Sequence, residues 1–274
     1  MENHTKILRE YPNINFHYTK GKTDIFYNKQ FHPHYELYLL LGGSAEFIND
    51  HVRKNINPND LVIIPPGEYH RFLVDEAQIS NYERCVLDIY PDFLGNEILE
   101  EAFRGKEFMT LAPNDRIVEN IIYLKNTMSK SGETDFGYIL SAIATDIVFL
   151  IKQRDTSGEP DVQRFSHPIS SEIMNYVNSN YQSNPSLKHI AEHFYMSVSS
   201  VSHIFKRDFG ISLKRYLTEK RMNAIHTDLQ NGKKPQETAE KFGFSNYATF
   251  YRSYCGYFGV PPSHTAKKKE SRGA

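Results

Sequence analysis

His32-Pro33-His34-Tyr35-Glu36 sets two imidazoles and a carboxylate at every second position. Alternate side chains of an extended strand share one face, so His32, His34 and Glu36 would converge. His70 follows the turn Pro65-Pro66-Gly67 and supplies a further imidazole. Such a set can hold a divalent transition metal. It can equally line a polar pocket that hydrogen-bonds sugar hydroxyls or a carboxylate. It can also be a rim with no ligand. Tyr38, two residues beyond Glu36 on the same face, can stack on a sugar ring or belong to the core.

A second set of residues suits a different chemistry. Ser199, Ser202, His203 and Lys206 recur at i, i+3, i+4 and i+7, opposite an apolar stripe of Val201, Ile204, Phe205 and Phe209. Ser200 and Arg207 lie beside them. A helix face of hydrogen-bonding groups fits base edges and phosphates. It also fits plain solvation. The equivalent face further on is Ala248, Tyr251, Arg252 and Cys255, with Asn246, Tyr247 and Thr249 near the helix start. The Arg252 fork can span O6 and N7 of guanine, touch a phosphate, or form an ion pair within the protein.

Two kinds of element must position these sets. Residues 14–90 read as strands: short runs of Ile, Val, Leu, Phe and Tyr broken by turn residues. Ala45–Ile48 and Val52–Ile56 flank Asn49-Asp50 as a hairpin, and Asn57-Pro58-Asn59-Asp60 precedes the strand Leu61–Ile64. This spacing suggests a sandwich or small barrel. Asp115–Ser131 and Asp135–Arg154 carry apolar stripes at helical spacing. Those helices can cover the barrel or form a dimer seam. Asp155–Asp161, polar with Gly158 and Pro160, reads as a linker.

Beyond it lies an internal repeat. Ala191–Ser197 matches Ala239–Ser245 at an offset of 48, and Val201, Phe205, Phe209 and Gly210 match Phe250, Tyr254, Phe258 and Gly259 at an offset of 49. Each copy reads as helix, tight turn, helix. Ser197 and Ser245 are expected as N-caps of the second helices, and Gly243 as a left-handed helix end. Ser212–Leu229 reads as one helix joining the copies. Two recognition helices on one face of DNA should lie about one helical turn, ~34 Å, apart.

Composition narrows the class. The chain has 274 residues, 39% hydrophobic and 24% charged, enough apolar material for two packed domains. Its two cysteines, Cys85 and Cys255, exclude a disulfide scaffold and fit a reducing compartment. Met1-Glu2-Asn3-His4 has no apolar run, so no secretory signal is expected. No stretch approaches 18 apolar residues, so no membrane span is expected either. Phosphate-cradling G-x-x-x-x-G-K and G-x-S-x-G motifs are absent. The net charge of −1 hides a split: residues 166–274 hold 15 Lys+Arg against 8 Asp+Glu, and residues 1–165 hold 17 against 25. The basic half is the candidate for a polyanion.

Residues 170–265 resemble the DNA-binding domain of the AraC/XylS family of bacterial transcription regulators. The motifs are Ser186-Leu187-x-x-Ile190-Ala191, Met196-Ser197, Phe205-Lys206-x-x-Phe209-Gly210, Arg221-Met222, and Gly243-Phe244-Ser245 through Phe258-Gly259-Val260-x-Pro262-Ser263. The family usually has basic residues where Cys255 and Gly256 stand. The histidine segments resemble the two cupin motifs, with departures at Glu36, which comes early, at Asn59 for glycine and at Val74 for asparagine. In a cupin the histidines and the glutamate are metal ligands, and regulators of this family often carry a cupin-like sensor.

The resemblances imply an α+β multidomain chain. A cupin-like β-barrel with flanking helices would occupy 1–155 as sensor and dimerisation domain. A linker at 156–167 would lead to an all-α pair of helix-turn-helix units at 168–267. The function implied is a cytoplasmic, sequence-specific DNA-binding transcription regulator responding to a small effector, a sugar or related carbon-source metabolite. It would act as a homodimer, and on RNA polymerase if an activator. Enzymatic activity, a cofactor and a membrane partner are not expected. The competing readings are a metal-dependent cupin enzyme fused to a DNA-binding domain and a regulator with no small ligand. The expected DNA-binding residues are Ser199, Ser200, Ser202, His203, Lys206, Arg207, Asn246, Tyr247, Thr249, Tyr251 and Arg252. The expected effector-binding residues are His32, His34, Glu36, Tyr38 and His70, with no metal ligand assigned.

Overall fold

Alternation along β3 (Tyr35–Gly42) sets the layering of the first unit. Tyr35, Leu37 and Leu39 join one buried cluster, and Tyr38 and Leu40 another. A strand apolar on both faces must be covered on both. The computed structural model describes residues 5–21, 32–50, 52–74, 77, 79–155, 163–164 and 168–267. They fall into two compact units that divide between Arg164 and Phe165.

The first unit has two antiparallel sheets. The larger runs in the order β1 (Thr5–Tyr11), β2 (Ile14–Lys20), β8 (Glu83–Ile89), β3, β6 (Asp60–Ile64), β9 (Phe108–Thr110). The smaller runs β10 (Gln163–Arg164), β5 (Val52–Ile56), β4 (Ala45–Asn49), β7 (His70–Leu73). Val62, Ile64 and Val86 of the larger sheet meet Phe47, Ile56 and Phe72 of the smaller, which makes the interior of the two-sheet barrel. Leu61, Ile63, Cys85, Leu87 and Ile89 point the other way, onto α1 (Asn96–Phe103), α2 (Arg116–Thr127) and α3 (Glu133–Lys152). Burying each such Leu or Ile is worth about 1.5–3 kcal/mol.

Side chains fix the helix ends. Asp115 caps α2 by accepting from Ile117 N, and its two carboxylate oxygens both accept from Arg154 Nη2, at 2.7 and 2.6 Å. Lys106 Nζ donates to the carbonyls of Ala102 and Lys152, tying the ends of α1 and α3. At 20 residues α3 is long and apolar enough to cross a bilayer by length and composition, which the sequence reading did not expect of any stretch. Here Phe136, Leu140, Ala144, Ile147, Val148 and Ile151 are buried in the cluster behind the large sheet, so it is a core helix.

The hairpin read from Asn49-Asp50 forms as β4–β5, with Ala45 opposite Ile56 and Ile48 opposite Arg53. The strands β1 and β9 and the helix α1 were not read from the sequence. Of the stretch read as linker, 156–162 and 165–167 lie outside the described residues. Gln163 and Arg164 instead pair with Arg53 and Val52 as β10.

The second unit is helical: α4 (Pro168–Asn180), a 3₁₀ turn at Tyr181–Ser183, α5 (Leu187–His193), α6 (Val198–Phe209), α7 (Leu213–Gln230), α8 (Pro235–Lys241), α9 (Tyr247–Phe258) and α10 (Pro262–Lys267). Ser212 caps α7. The two ends of α7 serve different cores. Tyr216, from its first half, packs on Phe205, while Met222, Ile225 and Leu229 pack with Phe242, Phe250 and Tyr254. The helix joining the copies is therefore the shared wall of both.

Candidate functional site

Two places bring the singled-out residues together. The first lies at one end of the barrel. Pro33 has no N–H for a ladder, and β3 begins only at Tyr35. His32 and His34 thus precede the strand instead of lying on it. The segment is held by Gly67, whose N–H donates to His32 C=O at 2.8 Å. Gly67 has φ +75°, a conformation glycine adopts freely. This contact sets the 32–34 segment beside His70, the first residue of β7.

The result is a buried polar cluster. Glu36 Oε2 lies 3.2 Å from His32 Nε2 and 3.6 Å from His70 Nε2. His32 and His34 stack with centroids 4.1 Å apart, and the His70 ring meets His32 edge-on at 4.8 Å. Asp88, inward on β8 directly opposite Glu36, accepts from His17 at 2.7 Å and lies 3.4 Å from His34 Nε2. Burial opposes ionisation of Asp88, but the hydrogen bonds of His17 and His34 outweigh it and hold the carboxyl well below the usual range. Burial likewise opposes ionisation of Glu36, and the two imidazoles against it reverse that too.

Tyr38 is not part of this rim. Its ring is fully buried, with Phe72 stacked at 3.7 Å and the Arg84 guanidinium 5.4 Å from its centroid. Its hydroxyl meets that of Tyr82 at 2.9 Å. With its ring covered by Phe72 and Arg84 it is a core residue. The sequence reading missed His17, Asp88 and Arg84. Arg84 lies on β8 opposite Leu40, with its guanidinium against the Tyr38 ring. An acid placed between the apolar Leu87 and Ile89 was the available signal for Asp88.

The second place is the pair of helix-turn-helix units. Backbone conformation repeats with the sequence. Gly210 and Gly259 end α6 and α9 with φ of 68° and 71°, and the turns before those helices hold Tyr195 at 54° and Gly243 at 69°. Ser197 caps α6 by accepting from Ser200 N at 3.0 Å. In the second copy the cap is Asn246, accepting from Thr249 N at 2.8 Å, and not Ser245 as the sequence reading had it. The offset changes from 48 to 49 between those two residues, so the cap belongs to the later register.

Tyr195 is 98% exposed. A non-glycine side chain in the left-handed region costs roughly 1–2 kcal/mol, and here no packing offsets it. Tyr195→Gly should therefore raise stability by about 1 kcal/mol, less the added freedom of the unfolded glycine. An unchanged or lowered urea midpoint would count against strain at this turn.

On α6, Ser199, His203 and Lys206 are exposed and Ser202 is half-buried. Ser200 and Arg207 are exposed but engaged: Ser200 Oγ meets Ser197 Oγ at 2.8 Å, and Arg207 Nε donates to Asp208 at 2.7 Å. Asp208 is buried and also accepts from Ser170 Oγ of α4. On α9, Tyr251 and Arg252 are exposed. Asn246 spends its side-chain oxygen on the cap, Thr249 is half-buried, and Tyr247 packs beside the Phe250 core. Arg221 was read as a motif residue without a role. It is buried on α7, donates to Phe242 C=O and lies 5.1 Å from the Phe244 ring, bracing the turn before α9.

Residues 15–140 match a family model described as an AraC-like ligand binding domain, and residues 190–268 match one described as a helix-turn-helix domain. The chain is similar to the uncharacterized HTH-type transcriptional regulator YdiP of Escherichia coli, 26% identical over 241 residues, covering 83% of this chain and 77% of that one. It is similar to the multiple antibiotic resistance protein MarA of Escherichia coli, 31% identical over 91 residues, 33% of this chain and 72% of that one. Among solved structures ToxT of Vibrio cholerae matches with 15% identity and a TM-score of 0.36 over 93% of this chain and 95% of that one. With a ligand-binding domain in front and paired helix-turn-helix units behind, the chain belongs to the AraC family of DNA-binding transcription regulators.

Proposed function

We propose that this regulator reads a specific DNA sequence through α6 and α9 and that a small effector bound in the barrel controls the reading. The carrying observation is the repeat in three dimensions: two capped helices, each entered by a left-handed turn and ended by a left-handed glycine, presenting His203 with Lys206 and Tyr251 with Arg252 to solvent. Ser199, Ser202, His203, Lys206, Tyr251 and Arg252 contact DNA. Ser200, Arg207, Asn246, Tyr247 and Thr249 support those helices and contribute through what their internal bonds leave over.

His32, His34, Glu36 and His70 form the effector end, Tyr38 standing behind them as core. Their donors and acceptors suit a polyol, and a sugar or related carbon-source metabolite is the proposed class. The chain works in the cytoplasm as a homodimer, with RNA polymerase as a further partner if it activates. A ligand that favours one arrangement of the dimer shifts which half-sites are filled.

The test compares a site obtained by in vitro selection with random DNA. His203→Ala or Arg252→Ala should cost ~1–3 kcal/mol on the selected site and less on random sequence. Equal losses on both would remove base readout from these residues. For the effector, a sugar at a hundred times its Kd should add about 2.7 kcal/mol to stability, visible as a raised Tm.

A further inference from the structure

Val198 opens α6, yet it stands outside the polar set assigned to DNA. Its side chain is 40% exposed. Residues four apart on a helix are neighbours, so Val198, Ser202 and Lys206 form one row beside the row of Ser199 and His203. The valine thus lies at the N-terminal end of the hydrogen-bonding face, the end from which recognition helices reach base edges. The fold does not ask for an apolar group there. In the second copy the first residue of α9, Tyr247, is half-buried, with its ring 5.5 Å from that of Phe250. A β-branched side chain also loses rotamer freedom in a helix, and the first turn favours negative charge. The first turns of α1, α2 and α3 do hold acids, whereas those of α6 and α9 hold none. A phosphate backbone approaching these two helix starts meets no acid in the first turn. Among the described residues of the second unit, the large apolar side chains left exposed are Tyr195, Val198, Tyr251 and Val260. Two lie on α6 and α9, and the other two flank those helices in the chain.

We propose that Val198 recognises a thymine in the major groove by packing on its 5-methyl group, which makes it a specificity-determining residue of the first helix-turn-helix unit. A valine side chain has no donor and no acceptor. The major-groove edges of guanine, adenine and cytosine offer only hydrogen-bonding groups, and thymine alone adds an apolar one. Pressed against any other base, the valine would strip water from a polar edge and return no hydrogen bond. Ser199, Ser202 and His203 lie within one helical turn and supply the polar contacts around it. The inference rests on reading α6 as a DNA-contacting helix.

The test uses the full chain and a duplex obtained by in vitro selection, with each thymine in turn replaced by deoxyuridine. The exchange removes the 5-methyl group and keeps the base pair. The expected result is one thymine whose replacement weakens wild-type binding about fourfold, the factor for one methyl group taken out of water. The same replacement should cost Val198→Ser nothing. Val198→Ala, apolar but shorter, should show a smaller loss at that position. Thermal melting reports the folding of both variants, and if Val198→Ser does not fold, the scans of wild type and Val198→Ala still decide. A flat wild-type scan, or equal uridine losses in wild type and Val198→Ser, would overturn the assignment and leave DNA reading by α6 intact. Equal binding to selected and random duplexes would instead remove sequence reading altogether, and Val198 with it. Unchanged affinity of Val198→Ser on every duplex, with transcription from the selected site lost, would put the residue against a protein and overturn the assignment too.

Discussion

Affinity for DNA should fall about fortyfold for each bound chain when salt rises from about 50 to 200 mM, since each phosphate neutralised contributes about 0.9 to the logarithmic slope. The formal excess of 15 cations over 8 acids in residues 166–274 would suggest a steeper loss. Much of that charge is engaged within the protein. Arg207 is bound to Asp208, Arg215 to Glu219, and Lys233 and Lys241 both to Asp228. Arg221 is buried. Among the described residues of α6, α7 and α9, Lys206, Lys214 and Arg252 remain exposed with no acid beside them. Three contacts give a slope near −2.7, and two chains on one site double it, for a loss of roughly a thousandfold or more. A titration of fluorescent duplex at several salt concentrations reads the slope directly. A flat profile would refute an electrostatic role for this face, and a slope near −1 per chain would exclude two of the three cations.

Phe205→Ala should destabilise the second unit by about 3–5 kcal/mol, the range for emptying a large aromatic site in a core. Its ring is fully buried, 4.6 Å from Phe209 and 5.4 Å from Tyr216 by centroids. Domains are stable by only about 5–15 kcal/mol, so such a loss leaves little in reserve. Binding to selected and random DNA should fail together on warming, unlike the selective loss in His203→Ala. The checks are a urea unfolding curve and DNA binding as a function of temperature. A cost below about 1 kcal/mol would mean that α6 is not held by this aromatic group.

What the sequence disclosed followed physical range. The β4–β5 hairpin depends on neighbours, and alternation around Asn49-Asp50 was enough to place it. The α6 cap depends on Ser197 and Ser200 alone and was legible for the same reason. The second cap was misplaced by one residue because the repeat slips there, a fault that only the backbone reveals. His17 and Asp88 are separated by 71 residues, and only the β2–β8 pairing brings them to the histidines. Tyr38 was ambiguous because strand alternation gives its face but not what covers it. Phe72, which covers it, is on the other sheet. Eight-residue α1 and three-residue β9 were too short for periodicity to stand out.

The two-residue strand β10 also sets a length. Pairing with Arg53 and Val52 leaves Arg164 anchored on the small sheet, four Cα steps from Pro168 at the start of α4. Extended chain gains at most about 3.6 Å per step, so that tether reaches roughly 14 Å. Without that pairing the last anchored residue would be Asp155, just past α3, and thirteen steps from it to Pro168 would reach roughly 45 Å. Two backbone pairings at the edge of a sheet thus fix the greatest length of chain between the last anchored residue of one unit and the first helix of the next.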